Sequence, residues 1–377
     1  MTDPLDDLPA IISESRTRVV FGAGKLASLG ALARAEGART VLLVTDPGLE
    51  AAGHADRALA SLRAAGLDVH VFDGVEPNPT TEHVDAAVKE ACRHEVDFIV
   101  GLGGGSAMDC AKGANFVFTN GGTMADYWGV GKATQPMLPM IAVPTTAGTG
   151  SEAQSFALIA DPITHQKMAC GDDKAACRVA ILDPELTATQ PRLVAAATAI
   201  DAVSHAVETA GTTKRTAESL AFSKEAWVRL ERGFERAMTD PDDLSARTKM
   251  LIGAHLAGCA IEHSMLGAAH ACANPLTARF DIVHGVAVGV MLPHVIRYNC
   301  AGGANPYAIL CEDPETLAQR IEAMFDSSGM PRRLTALGVA EGDVSELASV
   351  AATQWTARFN PREVGEADLA EIYRMAL

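Results

Sequence analysis

The stretch Asp97-Phe98-Ile99-Val100-Gly101-Leu102-Gly103-Gly104-Gly105-Ser106-Ala107-Met108-Asp109-Cys110-Ala111-Lys112 decides how the first half of this chain folds. The apolar run Asp97–Gly101 reads as a buried strand, and it leads directly into three consecutive glycines and an alanine-rich helix pattern. Successive glycines let the backbone approach a bound anion closely. The helix that follows turns its free N–H groups and positive dipole end toward that anion. A pyrophosphate is the natural occupant, and a plain tight turn between strand and helix is the alternative.

On either side of this stretch the same rhythm repeats. Strands are expected at Arg18–Phe21, Thr40–Thr45, Asp68–Phe72 and Pro139–Val143, with helices at Leu49–Ala65 and Thr81–His94. Strand, helix, strand in this order predicts a parallel sheet covered on both faces. Phe156–Ala160 and Val179–Leu182 are expected to form an added hairpin or edge strands. After Asp183-Pro184 the texture changes. Alanine, leucine and glutamate at helical spacing dominate to about residue 301, and the tail reads as short amphipathic helices broken by Pro331, Gly338 and Pro361. The fold class expected is therefore an α/β dinucleotide-binding domain over residues 1–189, followed by an all-helical domain over 190–377.

Composition narrows the function. Basic residues number 31 against 47 acidic ones, a formal charge of −16, which argues against a nucleic-acid or anionic-membrane surface. The opening MTDPLDDLPAII carries three aspartates and lacks the basic start of a signal peptide, so a cytoplasmic protein is expected. Eight cysteines occur without a C-x-x-C pair, which fits free thiols rather than a zinc ribbon or disulfide framework.

A second glycine pattern competes for the cofactor. Gly22-x-Gly24-x-x-Ala27 fits the dinucleotide fingerprint, and Asp46 falls at a strand end at nearly the spacing the fingerprint requires. There Asp46 would accept hydrogen bonds from a ribose 2′-hydroxyl and repel a 2′-phosphate, favouring NAD(H). Spacing alone leaves the choice between the two loops open.

The motifs together resemble those of the iron-containing (group III) alcohol dehydrogenases along nearly the whole chain. Gly103-Gly104-Gly105-Ser106-x-x-Asp109-x-Ala111-Lys112 is similar to that family's GGGSxxDxAK signature. Pro144-Thr145-Thr146-Ala147-Gly148-Thr149-Gly150-Ser151-Glu152 is similar to its PTTAGTGSE stretch. Pro77-Asn78-Pro79 matches its PNP turn, and Ile181-Leu182-Asp183-Pro184 its domain-closing segment. The resemblance implies a dehydroquinate synthase-like architecture. It implies that Gly104, Gly105 and Ser106 hold a pyrophosphate and that Thr145, Thr146 and Thr149 offer hydroxyls to the cofactor. With Asp46, Asn78, Gly103, Asp109 and Leu182 these make up the expected cofactor-binding set.

Asp201 and His205 stand four residues apart, so on a helix both project from one face. Such a pair serves equally as two ligands for one ion or as a hydrogen-bonded pair. Farther on, His270 and His284 each sit among small apolar residues, which predicts buried imidazoles in need of a partner or a metal. The resemblance carries Asp201, His205, His270 and His284 over as four metal ligands, with iron(II) implied and zinc(II) as the alternative. His263 and His294 read as structural. Glu208 reads either as a partner behind a ligand or as a solvated helix residue, and it stands outside the expected site.

One position departs from the family pattern. Many relatives carry a second histidine four residues after the third ligand, where it is thought to assist proton transfer, and here that position is Asn274. An amide hydrogen-bonds but exchanges no proton near neutral pH. Asn274 is expected to orient substrate or cofactor, or else to cap the helix break before Pro275. The resemblance implies hydride transfer between NAD(H) and a small alcohol, aldehyde or ketone, in a homodimer or larger homo-oligomer. Related alternatives are a maleylacetate reductase-like or hydroxyacid/oxoacid reductase, and a non-enzymatic metal- or nucleotide-binding relative.

Overall fold

The computed structural model describes residues 11–12, 15–164 and 166–377, so the opening segment read above lies largely outside the described residues. The chain folds into two compact units, Met1–Thr146 with Gly150–Thr189, and Ala147–Thr149 with Gln190–Leu377.

Among the described residues the first unit contains nine strands: β1 (Arg18–Phe21), β2 (Thr40–Val44), β3 (Asp68–Phe72), β4 (Phe98–Gly103), β5 (Gly129–Val130), β6 (Met140–Pro144), β7 (Phe156–Ala160), β8 (Lys167–Gly171) and β9 (Val179–Leu182). Its helices are α1 (Leu29–Ala35), α2 (Pro47–Ala51), α3 (His54–Ala64), α4 (Thr81–His94) and α5 (Gly105–Asn120). Six strands form one parallel sheet in the order β1-β9-β6-β4-β2-β3. Strand alternation sends Val41, Leu43, Phe98 and Val100 toward Leu29 of α1 and Leu62 of α3. Leu42, Val44 and Ile99 face Val84 of α4 and Met108 of α5. Apolar residues on both faces of a strand are what a doubly covered sheet requires.

Two expectations are corrected here. The single helix expected over Leu49–Ala65 is two, because Gly53 adopts a left-handed conformation (φ 74°) between α2 and α3. β9 is no hairpin or edge strand: it lies inside the main sheet between β1 and β6, with all four residues buried. The hairpin partner of β7 is instead β8, and β5 completes that three-stranded side sheet. A four-residue apolar run cannot distinguish an internal strand from an edge by periodicity alone.

The connections from neighbouring β2 and β4 run in opposite directions, β2 to β3 and β4 to β6. Such a switch point opens a crevice at the carboxyl ends of the strands, where open α/β sheets bind ligands. The loops lining it begin at Thr45 and at Gly104.

The second unit is helical: α6 (Arg192–Gly211), α7 (Ala217–Thr239), α8 (Leu244–Glu262), α9 (Ala268–Phe280), α10 (His284–Cys300), α11 (Pro314–Ser328), α12 (Val344–Thr353) and α13 (Glu366–Ala376). α6 is buried on every side from Ile200 to Gly211. A helix without a polar face belongs at the centre of a bundle. Charged groups on it, Asp201, His205 and Glu208, are therefore costly unless each has a partner. All eight cysteines are free thiols. Among the described residues no helix is long and apolar enough to cross a membrane.

Candidate cofactor loop and metal centre

Of the turns that follow β1, β2 and β4 at the carboxyl edge of the sheet, the first two are filled by the protein's own carboxylates. In the Gly22-x-Gly24 loop, the N–H groups of Gly24 and Leu26 donate to Asp183 at 3.1 and 3.0 Å. The side chain of Asp46 caps α2, accepting from Gly48 and Leu49 at 3.0 and 3.2 Å. The third turn is different. α5 begins at Gly104 with no side-chain cap and no acidic residue in its first turn. Its end is thus left to an anion from outside the chain.

The backbone of this turn is built for close approach. Gly103 has φ 152°, and a Cβ there would lie 2.6 Å from that of Ala107. A Cβ at Gly104 would press on Thr146 at 3.2 Å, and the hydroxyl of Thr146 is sealed from solvent without a hydrogen-bond partner. Both observations fit a dinucleotide lying across Gly103–Ser106. Asp183 occupies the anion position of the Gly22 loop, which leaves the Gly103 loop as the uncapped one of the two.

The other expected cofactor residues divide by what they touch. Thr145 is buried, and its N–H donates to the Gly103 carbonyl at 3.0 Å, tying the hydroxyl-rich turn to the glycine loop. Thr149 is half-buried in the same turn. Asp46 keeps Oδ2 toward the glycine loop, 3.4 Å from where a Gly103 Cβ would lie. Asp109 accepts a 2.7 Å hydrogen bond from the Ser151 hydroxyl. Lys112, fully buried, donates to the Ser151 carbonyl, the Ser151 hydroxyl and the Phe156 carbonyl at 2.6, 2.9 and 2.9 Å. Burial pushes the Asp109 carboxyl upward, and Lys112 opposes that shift. Asp109 and Lys112 thus clasp α5 to the segment after the threonine turn. Asn78 is exposed in the left-handed region (φ 55°), a conformation asparagine tolerates. Leu182 is buried at the end of β9, where its carbonyl accepts the Gly22 N–H.

In the helical unit, Asp201 and His205 lie one turn apart on α6, His270 lies in the first turn of α9, and His284 opens α10. Asp201 Oδ1 is 3.5 Å from His205 Nε2, 3.6 Å from His270 Nε2 and 4.0 Å from His284 Nε2. Ligand atoms of Asp201, His270 and His284 all fall within 4.8 Å of one another. Ligands roughly 2.1 Å from one tetrahedral ion sit about 3.4 Å apart, close to this spacing. Asp201 Oδ1 and His270 Nε2 are sealed from solvent and make no hydrogen bond. A buried carboxylate oxygen among imidazole nitrogens, too distant to bond one another, is a donor set that fits a divalent cation. His284 is the most accessible of the four, with 27% of its side chain exposed against 8% or less for the others.

Electrostatics agree with the geometry. Burial would raise the Asp201 carboxyl, but the surrounding imidazoles, His205 foremost, hold it far below the usual range. Burial lowers His205, against the pull of Asp201, which keeps a nitrogen lone pair available for a metal. Close approach also fixes the backbone: a Cβ at Gly148 would lie 2.5 Å from that of Thr198 on α6.

The functional residue that the sequence reading left out is Glu208. It is buried on the face of α6 that carries Asp201 and His205, seven residues after the former. Its Oε2 contacts His270 Nδ1 at 2.5 Å, and its Oε1 accepts the Ala269 N–H at 2.7 Å. The Asn360 side chain accepts the neighbouring Ala268 N–H at 3.3 Å. Glu208 and Asn360 thereby cap the start of α9 and fix the ring that α9 presents. The available signal was an acidic residue in helical register on a stretch with no polar face.

Asn274 lies one turn beyond His270, half-buried, and donates from Nδ2 to Gln354 Oε1 at 2.9 Å. His263 stacks on Phe222 outside the cluster.

A bundle centre that gathers one carboxylate and three imidazoles, in a chain with an open glycine-loop helix terminus, defines an oxidoreductase class that uses a metal and a dinucleotide. Comparison with known proteins is specific. Residues 16–184 match the model described as iron-containing alcohol dehydrogenase, and residues 195–377 that of the family's C-terminal part. The chain is 36% identical to a 1,3-propanediol dehydrogenase of Citrobacter freundii, over 94% of this chain and 96% of the relative. It is 32% identical to an NAD-dependent methanol dehydrogenase of Bacillus methanolicus, over 95% and 97%. A solved alcohol dehydrogenase from Oenococcus oeni superposes with TM-score 0.92 at 30% identity, covering 96% and 99%. The chain belongs to the iron-containing alcohol dehydrogenase family, and it is an enzyme, an oxidoreductase.

Proposed function

We propose that this enzyme transfers a hydride between NAD(H) and a small alcohol or its aldehyde or ketone. The observation that carries the reading is the orphaned Asp201 Oδ1 ringed by three imidazole nitrogens at 3.5–4.0 Å. Asp201, His205, His270 and His284 would hold one divalent ion, iron(II) or alternatively zinc(II). When bound, that ion supplies Lewis acidity, which lowers the pKa of an alcohol hydroxyl, and the nicotinamide supplies the hydride chemistry.

The chain's own residues bind and orient. Gly103–Ser106 and the first turn of α5 receive a pyrophosphate. Thr145, Thr146 and Thr149 offer hydroxyls, and Asp46 Oδ2 selects a free ribose. Glu208 holds the His270 ring, and Asn274 orients substrate. Residues 1–189 serve the cofactor, and residues 190–377 serve metal and substrate. The net charge of −16 supports an enzyme without nucleic-acid or anionic-membrane partners. A cytoplasmic location and a homodimer or larger homo-oligomer complete the proposal, the latter on the family resemblance.

The test uses purified protein reconstituted with iron(II) or zinc(II), a panel of short alcohols, aldehydes and oxoacids, and cofactor absorbance as the signal. His270→Ala and His284→Ala should each lose most bound metal and activity together. Full metal occupancy in either variant, or no NAD(H)-dependent turnover by the loaded wild type, overturns the reading.

A further inference from the structure

We infer that the cleft walled by α10, α11 and α13 binds a small organic acid, an anionic head carried on a short apolar body. The cleft has a volume of about 300 Å³, at the lower end of the range for small-molecule sites. It lies within the helical unit and apart from the metal centre. His294, which lines it, stands ten residues after His284 on α10, or about 15 Å along the helix axis.

The lining divides into two halves of different chemistry. Val290, Pro293, Phe325 and Met375 present hydrocarbon. Phe325 is held close against the α10 backbone, since a Cβ at Gly289 would lie 2.4 Å from its ring. His294, Arg332, Arg333 and Glu322 supply the polar half. Glu322 is fully engaged: Oε1 meets Arg297 and Oε2 meets Arg332, at 2.7 and 2.6 Å. Arg332 also reaches Asp326 at 3.3 Å, and Arg297 reaches Glu315 at 2.7 Å. The Arg333 guanidinium, by contrast, makes no ion pair or hydrogen bond among the described residues, and neither does the half-buried His294 ring.

An unpaired cation and an unpaired imidazole thus line one cavity, a local exception in a chain whose formal charge is −16. A cationic ligand would find no free carboxylate there. A wholly apolar one would bury these donors without a partner. An acid with a short hydrocarbon tail satisfies both halves of the lining.

The imidazole gives binding a signature. Burial, with Arg297, Arg333 and Arg332, outweighs Glu322 and holds the His294 pKa at about 4, so the empty site carries a neutral ring. α13 faces it with Met375, which has no charge. An anion in the cleft offsets the guanidinium groups and favours the imidazolium, so binding takes up a proton and strengthens as pH falls toward 4.

The probes are 1-propanesulfonate and methanesulfonate, which have the same head and differ in the length of the hydrocarbon tail. Neither titrates in the working range, so any proton taken up goes to the protein. Isothermal titration calorimetry of metal-loaded protein, in two buffers of different ionisation enthalpy, reads affinity and proton uptake together. At about pH 5.5 wild type should take up a proton on binding propanesulfonate. It should bind that probe about tenfold more tightly than methanesulfonate, the worth of two buried methylenes. Arg333→Met, at an exposed position, should keep the wild-type circular dichroism and bind about tenfold or more weakly. His294→Gln should bind without proton uptake. Equal affinity for the two sulfonates overturns the inference, as does undiminished binding by Arg333→Met. So does proton uptake that persists in His294→Gln, which would place the anion beside other groups.

Discussion

Glu208 Oε2 lies 2.5 Å from Nδ1 of His270. The contact fixes which nitrogen of that ring is left to face Asp201. Burial lowers the imidazole's proton affinity, but the Glu208 carboxylate outweighs it and pushes His270 up to about 9. With Nδ1–H donated to Glu208, Nε2 is the nitrogen that faces Asp201, and its lone pair becomes available to a metal ion once its proton is displaced. Carboxylates placed behind a ligating histidine typically contribute 10- to 100-fold in metal affinity. Glu208→Gln should therefore weaken metal binding by about that factor. The amide oxygen can still accept the Ala269 N–H, so the start of α9 should survive. Metal competition titration with circular dichroism checks both, and unchanged affinity would remove Glu208 from this role.

The Lys112 clasp makes a different prediction. Its ammonium is fully buried, with three hydrogen bonds to Ser151 and Phe156. Lys112→Met would remove the donor to the Ser151 carbonyl, the Ser151 hydroxyl and the Phe156 carbonyl, and the positive charge that offsets the burial of Asp109, at about 1–3 kcal/mol for each buried hydrogen bond lost. A loss of at least about 2 kcal/mol in stability is expected. Because the clasp anchors the segment after the threonine turn, KM for NAD should rise more than KM for alcohol. Denaturant unfolding and the two KM values test it, and a wild-type midpoint would show that the clasp contributes little.

How much of this was legible in the sequence depends on the kind of signal. The Gly103–Ser106 turn could be read because strand, glycines and helix are contiguous. The anion site in the Gly22 loop could not be dismissed, because its occupant, Asp183, lies 159 residues from Gly24. β9 was misplaced for a similar reason, since a short apolar run reports burial but not its neighbours. Asp201 and His205 were visible as a helical pair, yet their joining with His270 and His284 came through family resemblance rather than spacing. Glu208 carried only the weak mark of a charge on an apolar helix. Gln354 carried none, because a half-exposed amide becomes informative only when its partner is known.

Asp46 caps α2 through Oδ1 while Oδ2 faces the glycine loop. A carboxylate there accepts from a ribose 2′-hydroxyl and repels a 2′-phosphate. Wild type should prefer NAD(H), and Asp46→Gly should narrow the gap by raising NADP(H) efficiency. Glycine replaces an aspartate cap at a cost of only a few tenths of a kcal/mol, so stability should hold. Kinetics with both cofactors decide the matter. A wild type that used NADPH more efficiently would contradict the role.

His294 on α10 offers a pH test. Burial, reinforced by Arg297 and opposed by Glu322, lowers its pKa to about 4. In the unfolded chain the ring titrates near 6.5. Between those values the unfolded state takes up a proton that the folded state refuses. Stability due to His294 is thus complete above about pH 6.5 and is lost as pH falls toward 4. His294→Gln should flatten the decline in Tm across that window. An identical acid-side slope in the variant would assign the decline to other groups.

Asn274 supplies the last test, because what can titrate beside His270 depends on this position. An asparagine paired with Gln354 moves no proton, so the wild-type kcat profile should contain no ionisation from this position. A histidine introduced here would keep a donor for Gln354 Oε1 and add a group that titrates near its ordinary pKa of about 6.5. If position 274 faces the reacting groups, Asn274→His should introduce a new inflection in kcat against pH near that value. Asn274→Ala should instead raise KM without changing the shape of the profile, since it removes only a hydrogen-bonding group. Metal content must stay full in both variants for the comparison to hold. The competing account makes Asn274 a helix-break residue before Pro275, where asparagine is common for backbone reasons. On that account Asn274→Ala leaves kcat and KM untouched and Asn274→His adds no inflection, and that pair of results would return the residue to structure.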